Sequence, residues 1–392
     1  MGTGERLRRL SAAAWAGMFI FGIVMALVGA ILPLLAGRLE FTLADIGTLF
    51  FVMNGAMLAS SVGLGLVMDR FGMKPPLAVG PLLVAAALVE MVRAAAFADL
   101  LPAGVLLGVG GGALNGATNT LVADLHEDAA EKGAALNLLG MFFGFGALFL
   151  PFLIGALLAR MSAGVLLGGT AVFCACVGVY AAALRFPEPK QRQAIPVKDV
   201  PRFLRSKVVM AFAGMLFFES GVEFTLGGFI SPYLRQAAGV KTIAAASWIL
   251  AAFWAATMVT RIVYSRVAVG AAPYGLLLGS AAGACGGAVL AAVAWAPWVA
   301  ALAVVACGAS LAGVYPTVLG IAGARFREHS GTVFGILFTV ALAGGMLMPW
   351  AAGRIGGSVG LRWVFGMVAG AYGAMAGLGR LAKGWEAGAG GQ

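Results

Sequence analysis

Apolar residues run in long blocks along this chain, separated by short polar or Pro/Gly-bearing breaks. A helix that crosses a bilayer needs about 20 predominantly apolar residues. Twelve blocks reach that length, at 12–36, 42–68, 75–98, 101–124, 134–158, 163–185, 207–231, 242–265, 271–295, 297–321, 330–354 and 360–382. The pattern predicts an all-α membrane protein with twelve transmembrane helices. The longest polar stretch lies near the middle, at 186–206, where Pro187, Pro189, Pro196 and Pro201 stand among charged residues. It divides the chain into an N-terminal six-helix bundle (1–185), a linker (186–206) and a C-terminal six-helix bundle (207–392). The first block is too long for the apolar core of a signal peptide, so it is read as the first spanning helix.

Composition strengthens this reading. Hydrophobic residues make up 61% of the 392 and charged residues 11%, with a mean hydropathy of +0.97. Soluble domains hold about 45–50% apolar and about 25% charged residues. No water-soluble fold has interior enough for the excess. The 59 glycines suit close helix packing in lipid.

The net charge of +10 would suggest a nucleic-acid partner in a soluble chain. Here the cations sit in short loops, where they set orientation. Of the 26 Lys and Arg, nineteen fall on the side shared by both termini and seven on the other. Both termini are therefore expected in the cytoplasm, with the linker, in a multi-pass protein of the cell inner (plasma) membrane. Cys174, Cys176, Cys285 and Cys307 all lie in apolar runs and read as small packing residues. His126 and His329 are far apart in loops. No metal, cofactor or nucleic acid is expected as a partner. There is no nucleotide-binding loop, which argues against an enzyme and against a self-contained ATP-driven pump.

Internal similarity supports two halves. Gly133, Gly146, Pro151 and Gly155 recur as Gly331, Gly344, Pro349 and Gly353, each 198 residues on (331 − 133). Gly110 and Gly308 keep the same offset. Duplicated halves around a central site are a recurrent transporter plan.

Two features carry candidate chemistry. The segment between the second and third blocks contains Gly63, Gly65, Asp69, Arg70, Gly72 and Lys74. Gly65 would let a neighbouring helix come close. Asp69 sits at a helix C-terminus, where the helix dipole disfavours a carboxylate, so it needs a partner. This is the expected gating latch: Gly65, Asp69, Arg70, Gly72 and Lys74. In the second half, Ser265 and Arg266 occupy the corresponding loop without the acid.

The other feature is a set of polar groups inside the apolar blocks, which are costly in lipid and point to function. Glu219 and Glu223 are four apart on one helix face, and two close carboxylates cannot easily both ionise. They are the proton-coupling candidates, Glu223 first because it lies deeper. Asn115, Asn119 and Asn137 can donate and accept hydrogen bonds, as sugar recognition requires. Asn54 is a further intramembrane amide. Trp254, Phe142 and Phe143 could form apolar platforms for a sugar ring. Arg261 is expected to pair with a helix-terminal acid or carbonyl, and Glu90 with Arg93 as an i,i+3 pair.

The stretch from Gly63 to Lys74 resembles the loop signature of the major facilitator superfamily. Several further segments resemble its fucose permease-like branch. They are Gly112 through Asn119, Ala135 through Pro151, Gly221 to Glu223 with Phe229 and Tyr233, Tyr315 to Thr317, and Gly345 to Trp350. The resemblance implies the major facilitator fold, two pseudo-symmetric six-helix bundles, and import of hexoses or related sugars with protons. Two departures matter. The branch's fucose transporters carry acids in their first and fourth helices, whereas this chain has none between Ala12 and Leu35, and has Asn115 in the fourth. Phe229 also replaces a frequent Trp. Either Glu223 takes the proton-carrying role, or transport is uncoupled or coupled otherwise.

The reading is a secondary active transporter of a small polar solute, expected to be a sugar, working by alternating access as a monomer in contact with membrane lipid. Export of amphipathic drug- or lipid-like compounds is the alternative. A non-transporting receptor or scaffold on the same fold is a third.

Overall fold

The computed structural model describes residues 3–126, 128–187, 200–267, 272–326 and 329–389. Fourteen α-helices run through them: α1 Thr3–Leu35, α2 Leu43–Phe71, α3 Lys74–Arg93, α4 Leu100–Leu125, α5 Ala129–Leu157, α6 Ala163–Ala183, α7 Val200–Leu204, α8 Lys207–Gln236, α9 Ile243–Val267, α10 Pro273–Ala292, α11 Pro297–Leu311, α12 Val314–Arg325, α13 Ser330–Ser358 and α14 Leu361–Ala389. Twelve helical segments are long and apolar enough to cross a membrane, with α11 and α12 forming one of them. Most of the linker, 188–199, lies outside the described residues.

Local chemistry sets many of the helix ends. Ser162 and Ser206 cap α6 and α8 by accepting hydrogen bonds from the backbone N–H of Val165 and Val209. Prolines open α3, α10 and α11, where the missing N–H costs nothing. Gly72 takes φ +75 in the turn between α2 and α3, a left-handed conformation that favours glycine.

Several helices depart from their sequence limits by about a turn or more, and two departures have a clear local cause. α1 begins well before residue 12, because the Arg-bearing segment continues the same helix. The block 297–321 is broken at Ala312–Gly313. Pro316 explains the break: it lacks an N–H and its ring crowds the carbonyl of Ala312, four residues back.

Contacts divide the chain into two units. Unit 1 comprises Met1–Phe41, Val52–Arg192 and Ile243–Ala251; unit 2 comprises Thr42–Phe51, Gln193–Thr242 and Ala252–Gln392. In unit 1, α1 packs on α5 and α4, and α3 packs on α6 and α4. In unit 2, α8 packs on α13 and α14, and α10 packs on α14 and α11. The pairs α1–α5 and α3–α6 thus recur as α8–α13 and α10–α14. The first part of α2 belongs to unit 2, where Gly353 of α13 lies against the Leu43 carbonyl. The first part of α9 belongs to unit 1, where Gly155 of α5 lies under the Trp248 ring.

The repeat has a physical basis in backbone contact. A Cβ on Gly146 would run into the carbonyl oxygen of Phe19, and one on Gly344 into that of Phe217. Phe19 and Phe217 are themselves 198 residues apart (217 − 19). The Gly110–Gly308 correspondence is corrected by the structure. Gly308 lies against the Phe253 carbonyl of α9, as Gly108 lies against the Met53 carbonyl of α2, an offset of 200 (308 − 108). Gly110 instead faces Gly80 and Val84 of α3.

The surface suits lipid. On α6, Val165, Val172 and Val179 are exposed at seven-residue spacing, which puts them on one face. Trp295, Trp298 and Trp363 are exposed where α10 ends and where α11 and α14 begin, as in an interfacial aromatic belt. Inside unit 2, the buried Tyr233 hydroxyl donates to the Ala291 carbonyl at 2.5 Å and ties α8 to α10. Tyr233→Phe removes that tie between α8 and α10 and is expected to cost about 1 kcal/mol, read as a small fall in detergent melting temperature.

Candidate functional site

α8 carries the densest polar group inside a spanning segment. Glu219 and Glu223 are one helical turn apart, 1% and 7% exposed. The Arg261 guanidinium of α9 reaches Glu223, with Nη2 3.5 Å from Oε1. This corrects the sequence expectation for Arg261, whose partner is an acid in the middle of a helix. Arg261 also lies within the helical span Ile243–Tyr264, which is long and apolar enough to cross a membrane, and not in a loop.

Glu219 stands differently. Its Oε2 is buried and accepts no hydrogen bond. Tyr315 of α12 and Tyr372 of α14 are close enough for the charges of both glutamates to act on them. Tyr315 also stacks on Phe338, with ring centroids 6.4 Å apart and planes 2° from parallel. This part of unit 2 thus places Glu219, Glu223 and Arg261 together on α8 and α9. Sequence reading missed the two tyrosines. The available signal was that each places a hydroxyl needing a partner inside an apolar helix.

Neighbouring α8 residues are tightly placed. A Cβ on Gly221 would strike Met348 of α13, and one on Gly228 would strike the Phe50 ring. Thr225 satisfies its hydroxyl locally, donating to the Gly221 carbonyl at 2.7 Å. The face carrying the glutamates is thus fixed by backbone-close packing on either side.

The candidates in unit 1 do not form one cluster. Asn119 Nδ2 donates to the Asn115 carbonyl at 2.8 Å and to Asn115 Oδ1 at 3.1 Å, joining the two amides on α4. Asn115 is half-buried and Asn119 exposed, so both keep hydrogen-bonding capacity facing outward from α4. Asn137 is exposed on α5. It lies five residues from Phe142, which puts the two on different helix faces. Phe142 is stacked on Trp15 at 5.3 Å and 3°. Phe143 is buried against Phe21, and Asn54 is wholly buried. In unit 2, Trp254 is 1% exposed and meets Phe253 edge-on at 5.1 Å. All three aromatic candidates are held by other rings.

In the latch segment, the Gly65 and Asp69 side-chain positions lie outside the described residues, as do those of Ser265 and Arg266. Arg70 is exposed, its guanidinium 5.3 Å from the Phe71 ring centroid, and Lys74 is exposed at the start of α3. Glu90 and Arg93 do not form the expected pair; Glu90 Oε2 is buried without a hydrogen bond.

Comparison with known proteins follows from this architecture. The structure of the nucleoside transporter NupG superposes with a TM-score of 0.78 at 13% identity, covering 96% of this chain and 99% of that one. A bacterial homologue of the human lysosomal transporter Spinster, in an inward-facing and occupied conformation, gives 0.77 at 14% identity, covering 96% of each chain. The E. coli fucose:proton symporter FucP gives 0.66 at 17% identity, covering 95% and 98%. At such identities the likeness shows the fold alone. No curated protein matches by sequence. The family model of the Major Facilitator Superfamily matches residues 14–349, most of the chain. With twelve spanning helices and the same helix pairings in both units, this chain belongs to the major facilitator superfamily of membrane transporters.

Proposed function

We propose that this transporter moves a small polar solute of the polyhydroxylated class, a sugar or a sugar-bearing compound, by alternating access and coupled to protons. The observation that carries the reading is the pair of buried glutamates Glu219 and Glu223 in unit 2, with the partly exposed Arg261 beside Glu223. A charged side chain in the middle of a membrane costs about 2.5–3.5 kcal/mol or more, and persists where it serves a purpose. Arg261 compensates Glu223. Glu219 makes no close ion pair among the described residues, and a buried carboxyl group is costly when charged. One proton on this trio, gained and lost as the site changes exposure, is the coupling device we assign.

Substrate hydroxyls would meet the paired amides Asn115 and Asn119, with Asn137 as a further donor and acceptor. Phe142 and Trp254 serve as ring platforms only after rearrangement. The solute class is supported by the names of two structural neighbours, a nucleoside transporter and a fucose:proton symporter. Both solutes carry a sugar ring. We place both termini in the cytoplasm and the chain in the inner membrane, from the distribution of Lys and Arg. The halves are 1–185 and 207–392, joined by the linker 186–206.

The test is uptake of labelled hexoses and nucleosides into proteoliposomes, with and without an inward proton gradient. Saturable uptake that accumulates only with the gradient is the expected result. No uptake of either solute under any gradient would sink this reading and bring export of amphipathic compounds forward.

A further inference from the structure

We propose that the end of unit 1 bearing the start of α1 holds a binding site for an anionic phospholipid, formed by Arg6, Arg9 and Arg185 over an apolar floor. A cleft of about 1050 Å³ opens there, lined by these three arginines with Leu10, Leu184 and Phe186. Leu10 and Leu184 are buried together with Ala13, and Leu125 and Phe186 pack against them. The cleft is therefore cationic at its mouth and greasy at its base.

Its depth in the membrane follows from helix lengths. At 1.5 Å per residue, the 21 residues of α6 span about 32 Å, close to the hydrocarbon thickness of about 30 Å. Arg185 stands two residues past the end of α6, at headgroup level. The 33 residues of α1 span about 50 Å, far more than the hydrocarbon needs. Its first turns, with Arg6 and Arg9, extend beyond the apolar layer on the same end. The Tyr180 hydroxyl of α6 donates to the Arg9 carbonyl at 3.3 Å and fixes that alignment.

The charge balance favours an anion. Among the described residues that line the cleft none is an acid; the neighbouring Glu5 pairs with Arg9 at 2.6 Å, and both side chains are exposed. Three guanidinium groups against one carboxylate leave an excess of positive charge. Arg6 and Arg9 are three apart and share a face of α1. Guanidinium groups match phosphate oxygens in a planar fork. The apolar floor accepts glycerol and acyl carbons, which a free phosphate lacks. The occupant is thus a diacyl lipid with a phosphate-bearing anionic headgroup, clamping the first turns of α1 to the end of α6.

The experiment measures binding and melting temperature for the full-length protein in detergent, with added phosphatidylglycerol, phosphatidylcholine or glycerol phosphate. Phosphatidylglycerol is expected to bind and raise the melting temperature, and the other two are not. Each arginine near the headgroups contributes about fivefold in affinity, so Arg6→Gln alone should weaken binding about fivefold and the triple Gln variant about a hundredfold. Arg6 is exposed at a helix start, so the single variant tests the site even where the triple variant folds poorly. Unchanged affinity in Arg6→Gln, or an equal shift with phosphatidylcholine or glycerol phosphate, would overturn the proposal.

Discussion

Glu219→Gln is expected to abolish proton-driven accumulation while leaving the protein folded and able to exchange solute across the membrane. Glu219 is buried, has no hydrogen bond at Oε2, and shares its helix face with Glu223. A neutral amide of the same shape therefore costs the fold little. A gradient of one pH unit can drive up to about tenfold accumulation at one proton per solute, since one unit is worth 1.36 kcal/mol. The variant should reach only equilibration, with counterflow preserved. Glu223→Gln is expected to behave differently, because it removes the counter-charge of Arg261. Breaking a buried pair costs about 3–5 kcal/mol. Arg261 is about a third exposed, so screening reduces the expected loss to about 1–3 kcal/mol. Melting temperature should fall for Glu223→Gln and hold for Glu219→Gln. Accumulation that survives in Glu219→Gln would remove that residue from the coupling step.

Gly146→Leu should prevent assembly of unit 1, and Gly344→Leu that of unit 2. In each case the added atoms would fall on a backbone carbonyl oxygen, Phe19 or Phe217, and not on a side chain that can swing away. The helices α1 and α5, or α8 and α13, would have to separate along their whole contact. Overpacking typically costs about 1–3 kcal/mol, and more where the obstacle is backbone. Even Gly146→Ala should lose about 3 kcal/mol or more by this reasoning. Gly140 is the internal control: it lies in the same helix, and a Cβ there meets nothing within 4 Å. Gly140→Ala should be neutral or stabilising by about 0.5–1 kcal/mol, since it restrains the unfolded chain. Size-exclusion profiles and melting curves of the purified variants distinguish these outcomes. A monodisperse, wild-type-like Gly146→Leu protein would contradict the close crossing.

The spanning helices were legible because lipid imposes a one-dimensional rule: a helix must stay apolar for about 20 residues whatever its neighbours do. The break before Pro316 was not read from the sequence, although its cause is equally local. The recurrence of Gly146 as Gly344 and Pro151 as Pro349 was visible because both copies keep the same spacing. That spacing misled at Gly110, where the two halves differ by two residues; only the facing carbonyls of Met53 and Phe253 identify Gly108 as the counterpart of Gly308.

The site was legible as a list and not as an arrangement. Sequence marked Glu219 and Glu223 as costly in lipid, and four-residue spacing put them on one face. It could not decide which carboxylate is compensated, because Arg261 lies 38 residues further on (261 − 223) on another helix. Helix packing decides that, and it also turns Phe142 onto Trp15. The class of the protein and its helices thus follow from the chain's local chemistry against lipid. The partner of each buried charge is a long-range contact, set by which helices approach closely enough, and therefore belongs to the tertiary structure alone.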